Sequence, residues 1–204
     1  MRTIKKFDNF SEDNVLIIVD VQKSFSKFFT NKYIEELNGY CKKFSEVYLI
    51  WDNHHEGKVP PDYLYQDNPP PPQDGELYKF PNVTKIVEKR YNYDVDVKFY
   101  KKLFTPDKFK EILNLENSKK LKKGDMFETN HGTAIVYIGN NHVWFHIGKK
   151  LLRTLTRLKG KNVTIVGGAS NECLEDIFIA SKSLGLKIQK NVNFIWSAKN
   201  CPIK

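Results

Sequence analysis

Short, continuous apolar runs alternate along the chain with stretches in which apolar residues recur every three or four positions. The runs over residues 14–20, 47–51 and 162–167 are mostly apolar, which is typical of strands buried on both faces of a parallel sheet. After the first run, the helical spacing of apolar residues predicts a helix over about 31–45. The segment 83–89 predicts a third strand. The chain therefore begins as an alternation of strands and helices, the pattern of an α/β fold.

One segment breaks this alternation with an antiparallel signal. Residues 133–138 and 142–147 are runs rich in apolar residues on either side of a Gly-Asn-Asn turn, which predicts a β-hairpin. We therefore interpret about 120–148 as an insertion in a single domain of 1–204. The remaining pattern predicts helices at about 107–115, 151–158 and 171–184, and one or two strands within 186–196. The predicted fold is a three-layer α/β/α arrangement with a mostly parallel sheet and an inserted hairpin.

Composition narrows the class of protein. The chain has 204 residues, of which 40% are hydrophobic and 28% are charged, as in an ordinary globular domain. Its longest aliphatic run, residues 15–19, is far shorter than the roughly 20 apolar residues that a membrane helix needs. The first residues show no export signal, and the odd, sparse set of Cys41, Cys173 and Cys201 argues against a disulfide framework. We expect a cytoplasmic protein with reduced thiols and no membrane partner.

The charge distribution leaves two interpretations open. The net charge is +9; residues 98–123 hold nine lysines against three acids, and 149–161 hold six basic residues and no acid. A basic surface over 98–161 suits an anionic partner such as nucleic acid. The same residues also fit a solvated, lysine-rich face without a partner.

Residues able to do chemistry stand where the predicted strands end. Asp20 closes the first strand, Asp52 the second and Lys89 the third, and the fourth runs through a glycine pair towards Cys173. Ligands of open parallel sheets bind outside the carboxyl ends of the strands. An acid, an amine and a thiol are therefore expected to converge at one edge of the sheet.

Cys173 is the most specific of these residues. It is predicted in the first turn of a helix, where unpaired N–H groups and the positive end of the helix dipole favour a thiolate. Asp20 is suited to take the proton of the thiol, and Lys89 to keep Asp20 ionised. The alternative is a buried cysteine with a purely structural role.

Three motifs resemble one family. Residues 15–25 resemble the opening "DVQ…F" motif of the isochorismatase-like cysteine hydrolases, the group that includes the nicotinamidases. Residues 166–173 resemble their nucleophile segment of the form G-V-A-T-D-x-C, and Lys89 falls where their "K-x-x-Y/F" lysine follows the third strand. The resemblance implies an isochorismatase-like hydrolase fold. It also implies a catalytic triad of Asp20 as general base, Lys89 as electrostatic partner and Cys173 as nucleophile.

The same resemblance implies further parts of the site. The backbone N–H groups of Ala169 and Cys173 are expected to form an oxyanion hole, with a non-proline cis peptide between Gly168 and Ala169. Gln22 and Phe25 are expected to form part of the substrate-binding pocket wall.

A metal site is a separate question. The segment 51–55 resembles the "D-W-H-P" metal motif of the nicotinamidase branch, which suggests Asp52 and His54 as ligands of zinc, iron or manganese. That motif needs a further histidine, and apart from the adjacent His55 the next one in the chain is His131. A polar loop at a strand end is the competing interpretation. The covalent chemistry itself requires no cofactor.

Two functions follow as hypotheses. The first is a cysteine hydrolase that cleaves the C–N bond of a small amide, nicotinamide-like, through a thioester on Cys173. The second is an inactive or moonlighting protein of the same fold that binds an anionic partner such as nucleic acid through the 98–161 surface. A small-molecule substrate is expected for the first, and a homo-oligomer is compatible with either.

Overall fold

Strands and helices alternate along most of the chain. The computed structural model describes residues 14–52, 77–89, 92–93, 105–122, 124–129, 132–138, 142–171 and 173–197. Within them, the strands are β1 (Asn14–Val19), β2 (Glu46–Asp52), β3 (Val83–Lys89), β4 (Asn92–Tyr93), β5 (Met126–Thr129), β6 (Gly132–Ile138), β7 (His142–Gly148), β8 (Asn162–Gly167) and β9 (Lys187–Ile195). The α-helices are α1 (Asn31–Cys41), α2 (Pro106–Asn117), α3 (Lys149–Arg157) and α4 (Cys173–Ser183), and a 3-10 helix covers Lys23–Phe28.

Five of these strands form a parallel sheet with the order β3-β2-β1-β8-β9. Every neighbouring pair in this sheet runs in the same direction. In the central strand β1, no residue from Val15 to Val19 is more than 1% exposed. A strand covered on both faces has no polar face, which explains why its sequence is a continuous aliphatic run. The predicted α/β arrangement with a mostly parallel sheet is confirmed at this level.

Helices cover both faces of the parallel sheet. On one face, Leu37 and Cys41 of α1 share a buried cluster with Leu16 and Ile18 of β1. On the other face, alternate residues of β1 share a cluster with apolar residues of α3 and α4: Val15, Ile17, Val19, Leu151, Leu155, Leu174 and Ile177. Successive side chains of a strand point to opposite faces, so a single aliphatic run supplies both cores.

A second, antiparallel sheet has the order β4-β7-β6-β5. Its centre is the predicted hairpin, in which β6 and β7 pair from Gly132 with Gly148 to Ile138 with His142. The hairpin does not stand alone, because β5 pairs with β6 and β4 with β7. These two outer strands cover the edges that an isolated hairpin would leave open for unwanted pairing.

Element boundaries differ from the predictions by a few residues. Helix α1 ends at Cys41 rather than near residue 45, since tight turns follow in which Lys43 N–H donates to Tyr40 O (3.0 Å) and Phe44 N–H to Cys41 O (3.1 Å). The last predicted segment is a single strand, β9. Of the helices described, none combines the length and the apolar character that a membrane crossing requires.

Candidate active site

The candidate site lies where the strand order of the parallel sheet changes direction. From β1 the chain builds outwards to β2 and β3 on one side, and β8 and β9 lie on the other. Val19 is in register with Gly167, so both strands end at the same level. Asp20 and Gly168 therefore leave the sheet side by side. This switch point between β1 and β8 is the place at which ligands bind in open parallel sheets.

Asp20 is buried at this edge. Its exposed fraction is 1%, its φ is +53°, and its N–H donates to Ile50 O of β2 at 2.8 Å. Burying a carboxyl group and holding a residue with a side chain in the left-handed region both cost free energy. The contacts with the surrounding strands therefore offset the free-energy cost of this buried, left-handed conformation of Asp20.

The glycine pair lets the end of β8 lie directly against β1. Gly167 has φ +104°, and a Cβ atom placed on it would lie 2.0 Å from Val19 O. The N–H of Gly168 donates to that same oxygen at 3.0 Å. A side chain at residue 167 would clash with the backbone of β1, so glycine is needed for this close approach.

The peptide bond between Gly168 and Ala169 is cis, as the family resemblance implied. On either side of Ala169, Gly168 N–H donates to Val19 O and Ser170 N–H to Trp196 O, both at 3.0 Å. Among the described residues, by contrast, no carbonyl accepts a hydrogen bond from the N–H of Ala169. Its role as a donor in an oxyanion hole stays a prediction.

Cys173 is the first residue of α4 and its side chain is half-buried. Its predicted place in the first helical turn is confirmed, so the thiol lies at the positive end of the helix dipole. The nearby Glu175 is held in an ion pair with Lys190 of β9. The Leu174 N–H donates to Ala169 O at 3.3 Å, which links the start of the helix to the turn after β8.

The other predicted polar residues lie further along the same edge. Lys89 is the last residue of β3 and is in register with Asp52, the last residue of β2. The carboxyl edge thus presents Lys89, Asp52, Asp20 and Gly168 in spatial order on adjacent strands. Lys89 belongs to a strand two positions from β1, and its role in a triad stays a prediction.

The metal prediction rests on Asp52 and His54, and His54 lies outside the described residues. Within the described part of the chain, no group of three or more His, Cys, Asp or Glu residues is placed to hold a metal ion. Of the two predicted ligand residues, the structure describes only the backbone of Asp52, at the end of β2. A zinc, iron or manganese ion at this place stays a prediction.

Aromatic residues build a wall next to the nucleophile turn, and Trp196 is its centre. A Cβ atom on Gly168 would lie 2.3 Å from Trp196 Cδ2, so the indole ring covers this glycine directly. Phe28 stacks on the indole with ring centroids 5.2 Å apart, and Phe25 and Phe29 lie 5.7 Å and 6.0 Å from it. The indole N–H is buried and has no acceptor among the described residues. The predicted pocket residue Phe25 thus lies in this wall.

Trp196 was not predicted as a site residue. The signal was nevertheless present, since Trp196 directly follows the last parallel strand, and strand ends at this edge form the site. The N–H of Trp196 donates to Gly167 O at 3.0 Å, so the backbone ties this strand end to the glycine pair.

Gln22 is buried and organises the segment after Asp20. Its exposed fraction is 4%, and its Nε2 donates to Ser24 Oγ at 2.8 Å, at the start of the 3-10 helix that carries Phe25. Its backbone also pairs with Leu77 in an isolated antiparallel bridge. These contacts give Gln22 a role in positioning the wall, and its predicted contact with substrate remains untested.

Comparison with known proteins does not assign the chain to a family. No family model, no curated protein and no solved structure matches it. The resemblance to the isochorismatase-like hydrolases accordingly stays a prediction that rests on the motifs around Asp20, Lys89 and Cys173. What the chain does has to be inferred from the residues gathered at the switch point.

Proposed function

We propose that the protein is a cysteine hydrolase of the isochorismatase type that cleaves the C–N bond of a small amide. The observation that carries this proposal is the placement of buried Asp20 and of the turn leading to Cys173 on adjacent strand ends at the switch point. A proton acceptor, a thiol at a helix N-terminus and an available N–H group are the components that acyl transfer to a cysteine needs.

In the proposed reaction, Asp20 takes the proton of the Cys173 thiol, and the thiolate sulfur attacks the carbonyl carbon of the amide. The N–H groups of Ala169 and Cys173 donate hydrogen bonds to the oxyanion that forms. As the C–N bond breaks, Asp20 passes the proton to the leaving amine and an acyl thioester remains on Cys173. Water then attacks the thioester and gives a proton to Asp20, which returns it to the departing thiolate as the carboxylic acid leaves.

The aromatic wall supports a flat, aromatic acyl group as the first substrate to test. Trp196 lies directly against Gly168, and Phe25 and Phe28 pack on its indole, so aromatic side chains surround this part of the nucleophile turn. Aromatic surroundings favour planar aromatic groups. A nicotinamide-like amide fits this description. In the proposed function a divalent metal held by Asp52 and His54 would bind the nitrogen of such a ring, while the covalent steps proceed on the residues of this chain alone.

The test is hydrolysis of a panel of small primary amides, beginning with nicotinamide, measured as ammonia release. We expect turnover by the natural protein and a loss of at least about 1000-fold in Cys173→Ala, because the nucleophile is removed. Acid quenching during turnover, followed by intact mass measurement, is expected to show one acyl group on the protein. Full turnover by Cys173→Ala would show that the covalent mechanism is wrong.

The matched control is Cys41→Ala, which removes a thiol from the core at the other face of the sheet. It is expected to keep the rate per folded molecule, with folding checked by thermal unfolding of both variants. Asp20→Asn is expected to lose turnover, and Lys89→Ala is expected to slow alkylation of Cys173 at neutral pH if Lys89 supports the thiolate.

A further inference from the structure

A basic groove lies beside β3, at the far side of β2 from the candidate active site. Its volume is about 480 Å³, in the range of ligand-binding clefts. The lining combines four cations with an indole and two aliphatic residues: Lys85, Lys150, Arg153, Arg157, Trp51, Ile86 and Val87. None of the described residues that line the groove is acidic. Ile86 is 52% exposed, so the groove also offers apolar surface to solvent.

The cations form a row because α3 is amphipathic. Leu151 and Leu155 of this helix are fully buried against the sheet, which turns the remaining face outwards. Lys150, Arg153 and Arg157 follow at helical spacing on that face and lie along a stripe about 10 Å long, at 1.5 Å rise per residue. Lys85 joins the row from β3, where its Nζ donates to Thr154 Oγ1 at 3.0 Å.

Among the described residues, no acid neutralises this row of cations. Elsewhere in the molecule cations do pair with acids, as Lys161 does with Glu46. In the described part of the chain, however, no carboxylate forms an ion pair with any cation of this row. Like charges three and four residues apart on a helix repel one another, and a bound anion would relieve that repulsion.

We propose that this groove binds single-stranded nucleic acid through its phosphate backbone. Phosphates follow one another by about 3.4 Å along a stacked strand, so the row of cations spans about three nucleotides. Arginine guanidinium groups match phosphate geometry, and an adjacent aromatic residue, here Trp51, offers a stacking platform for a base. The net charge of +9 favours the approach of such a polyanion. This proposal is independent of the hydrolase function.

The test measures binding of a short, labelled oligothymidylate to the full chain by fluorescence anisotropy at about 50 mM salt. We expect the double variant Arg153→Glu with Arg157→Glu to raise Kd by at least about tenfold. It should also lower the slope of log Kd against log salt concentration by about two. The matched control reverses two charges elsewhere, Lys32→Glu with Lys187→Glu. Both control residues are exposed, on α1 and on β9. This control is expected to change Kd by less than about twofold, because the groove is intact.

Four outcomes would overturn the proposal. One is that the oligonucleotide does not bind. Another is that both charge-reversal pairs weaken its binding equally, which would indicate a diffuse electrostatic attraction. A third is competition by polyglutamate as effective as by unlabelled oligonucleotide, which would indicate an acidic protein partner. The fourth is that inorganic tripolyphosphate binds to the groove whereas the oligonucleotide does not. Arg153→Gln with Arg157→Gln serves if the glutamate pair fails to fold, and it is expected to weaken binding in the same direction.

Discussion

The two cysteines of the described structure sit at opposite ends of helices on opposite faces of the same sheet. Cys41 is the last residue of α1, has no exposed surface and packs among the core residues Leu37 and Phe44. Cys173 is the first residue of α4 and is half-buried beside the turn that follows β8. One chemical group is therefore placed in two electrostatic settings, the negative and the positive end of a helix dipole.

Burial explains why Cys41 is not a candidate for chemistry. It raises the pKa of the Cys41 thiol to about 12, because a thiolate would have to form without water around it. Burial likewise raises the pKa of the neighbouring Tyr33 hydroxyl, which donates to Phe194 O at 2.9 Å. Helix position and access to water, rather than residue type, therefore make Cys173 and not Cys41 a candidate nucleophile.

The largest difference between the Cys41 helix and the turn that leads to Cys173 is expected for the effect of glycine substitutions on stability. Gly167→Ala should lower the free energy of unfolding by about 3 kcal/mol or more, since φ is positive and the new Cβ would meet the backbone of β1. Gly39→Ala in α1 should raise it by about 0.5–1 kcal/mol, because alanine favours the helix and nothing lies within 4 Å of its Cβ. Urea denaturation of each variant measures the difference.

A further variant separates the two causes at Gly167. Gly160 also has a positive φ, +88°, but no atom lies within 4 Å of a Cβ placed there. Gly160→Ala is expected to cost about 1 kcal/mol, the backbone penalty alone. An equal cost for Gly160→Ala and Gly167→Ala would show that the close approach of β8 to β1 does not matter for stability.

Thiol reactivity should differ between the two cysteines by about 100-fold or more. Cys41 reacts only when the core opens, and opening costs several kcal/mol, whereas Cys173 is partly accessible in the folded protein. Alkylation with iodoacetamide, followed by peptide mapping, measures each cysteine separately. In urea, where the chain is unfolded, the two rates should become similar. Comparable rates in the native protein would contradict the assignment of Cys41 to a closed core.

The last contrast concerns stability at alkaline pH. The folded state raises the Cys41 pKa from 9.0 to about 12, so it holds this proton more tightly than the unfolded state does. The associated stabilisation is complete below pH 9 and is lost as pH rises towards 12. Replacing Cys41 by alanine should therefore flatten the decline of the unfolding free energy, by up to about 1.4 kcal/mol per pH unit.

The test is to measure the free energy of unfolding of the natural protein and of Cys41→Ala across this pH range. Tyr48, whose pKa burial raises to about 12, contributes in the same direction to both proteins and cancels in the difference. Parallel stability curves for the natural protein and Cys41→Ala would mean that the thiol at this position is not protected by burial.

Much of the fold could be predicted because the local pattern of apolar and turn residues favours the same strands and helices that the structure contains. The aliphatic runs of β1 and β8 need two covered faces, and the Gly-Asn-Asn motif in the sequence predicts the antiparallel pairing of β6 with β7. The end of α1 was missed because the tight turns after Cys41 keep Phe44 buried, which prolongs the apolar spacing of the helix. The outer strands of the antiparallel sheet carry little local signal, since β4 has only two residues.

The candidate site, like the fold, could be predicted only in part from the sequence. Asp20 and Cys173 follow from strand ends and a glycine turn, which are visible in the sequence. Trp196 was missed because its contact with Gly168 joins residues from different strands, and no local pattern reports that contact. The basic groove was foreseen only as a charged region of 98–161, while its lining also includes Lys85 from a separate strand.

The amino-acid pattern was sufficient to predict the parallel sheet, the burial of β1 on both faces, and the kinds of chemistry available at the strand ends. These features depend on periodicity and turn residues, which act over a few neighbouring positions. The packing of the whole chain was needed to place Asp20 next to Gly168, Trp196 over Gly168, and the cations of α3 in line with one from β3. Strand order and helix docking bring distant residues together, and they are set by the packing of the whole chain rather than by any segment of it.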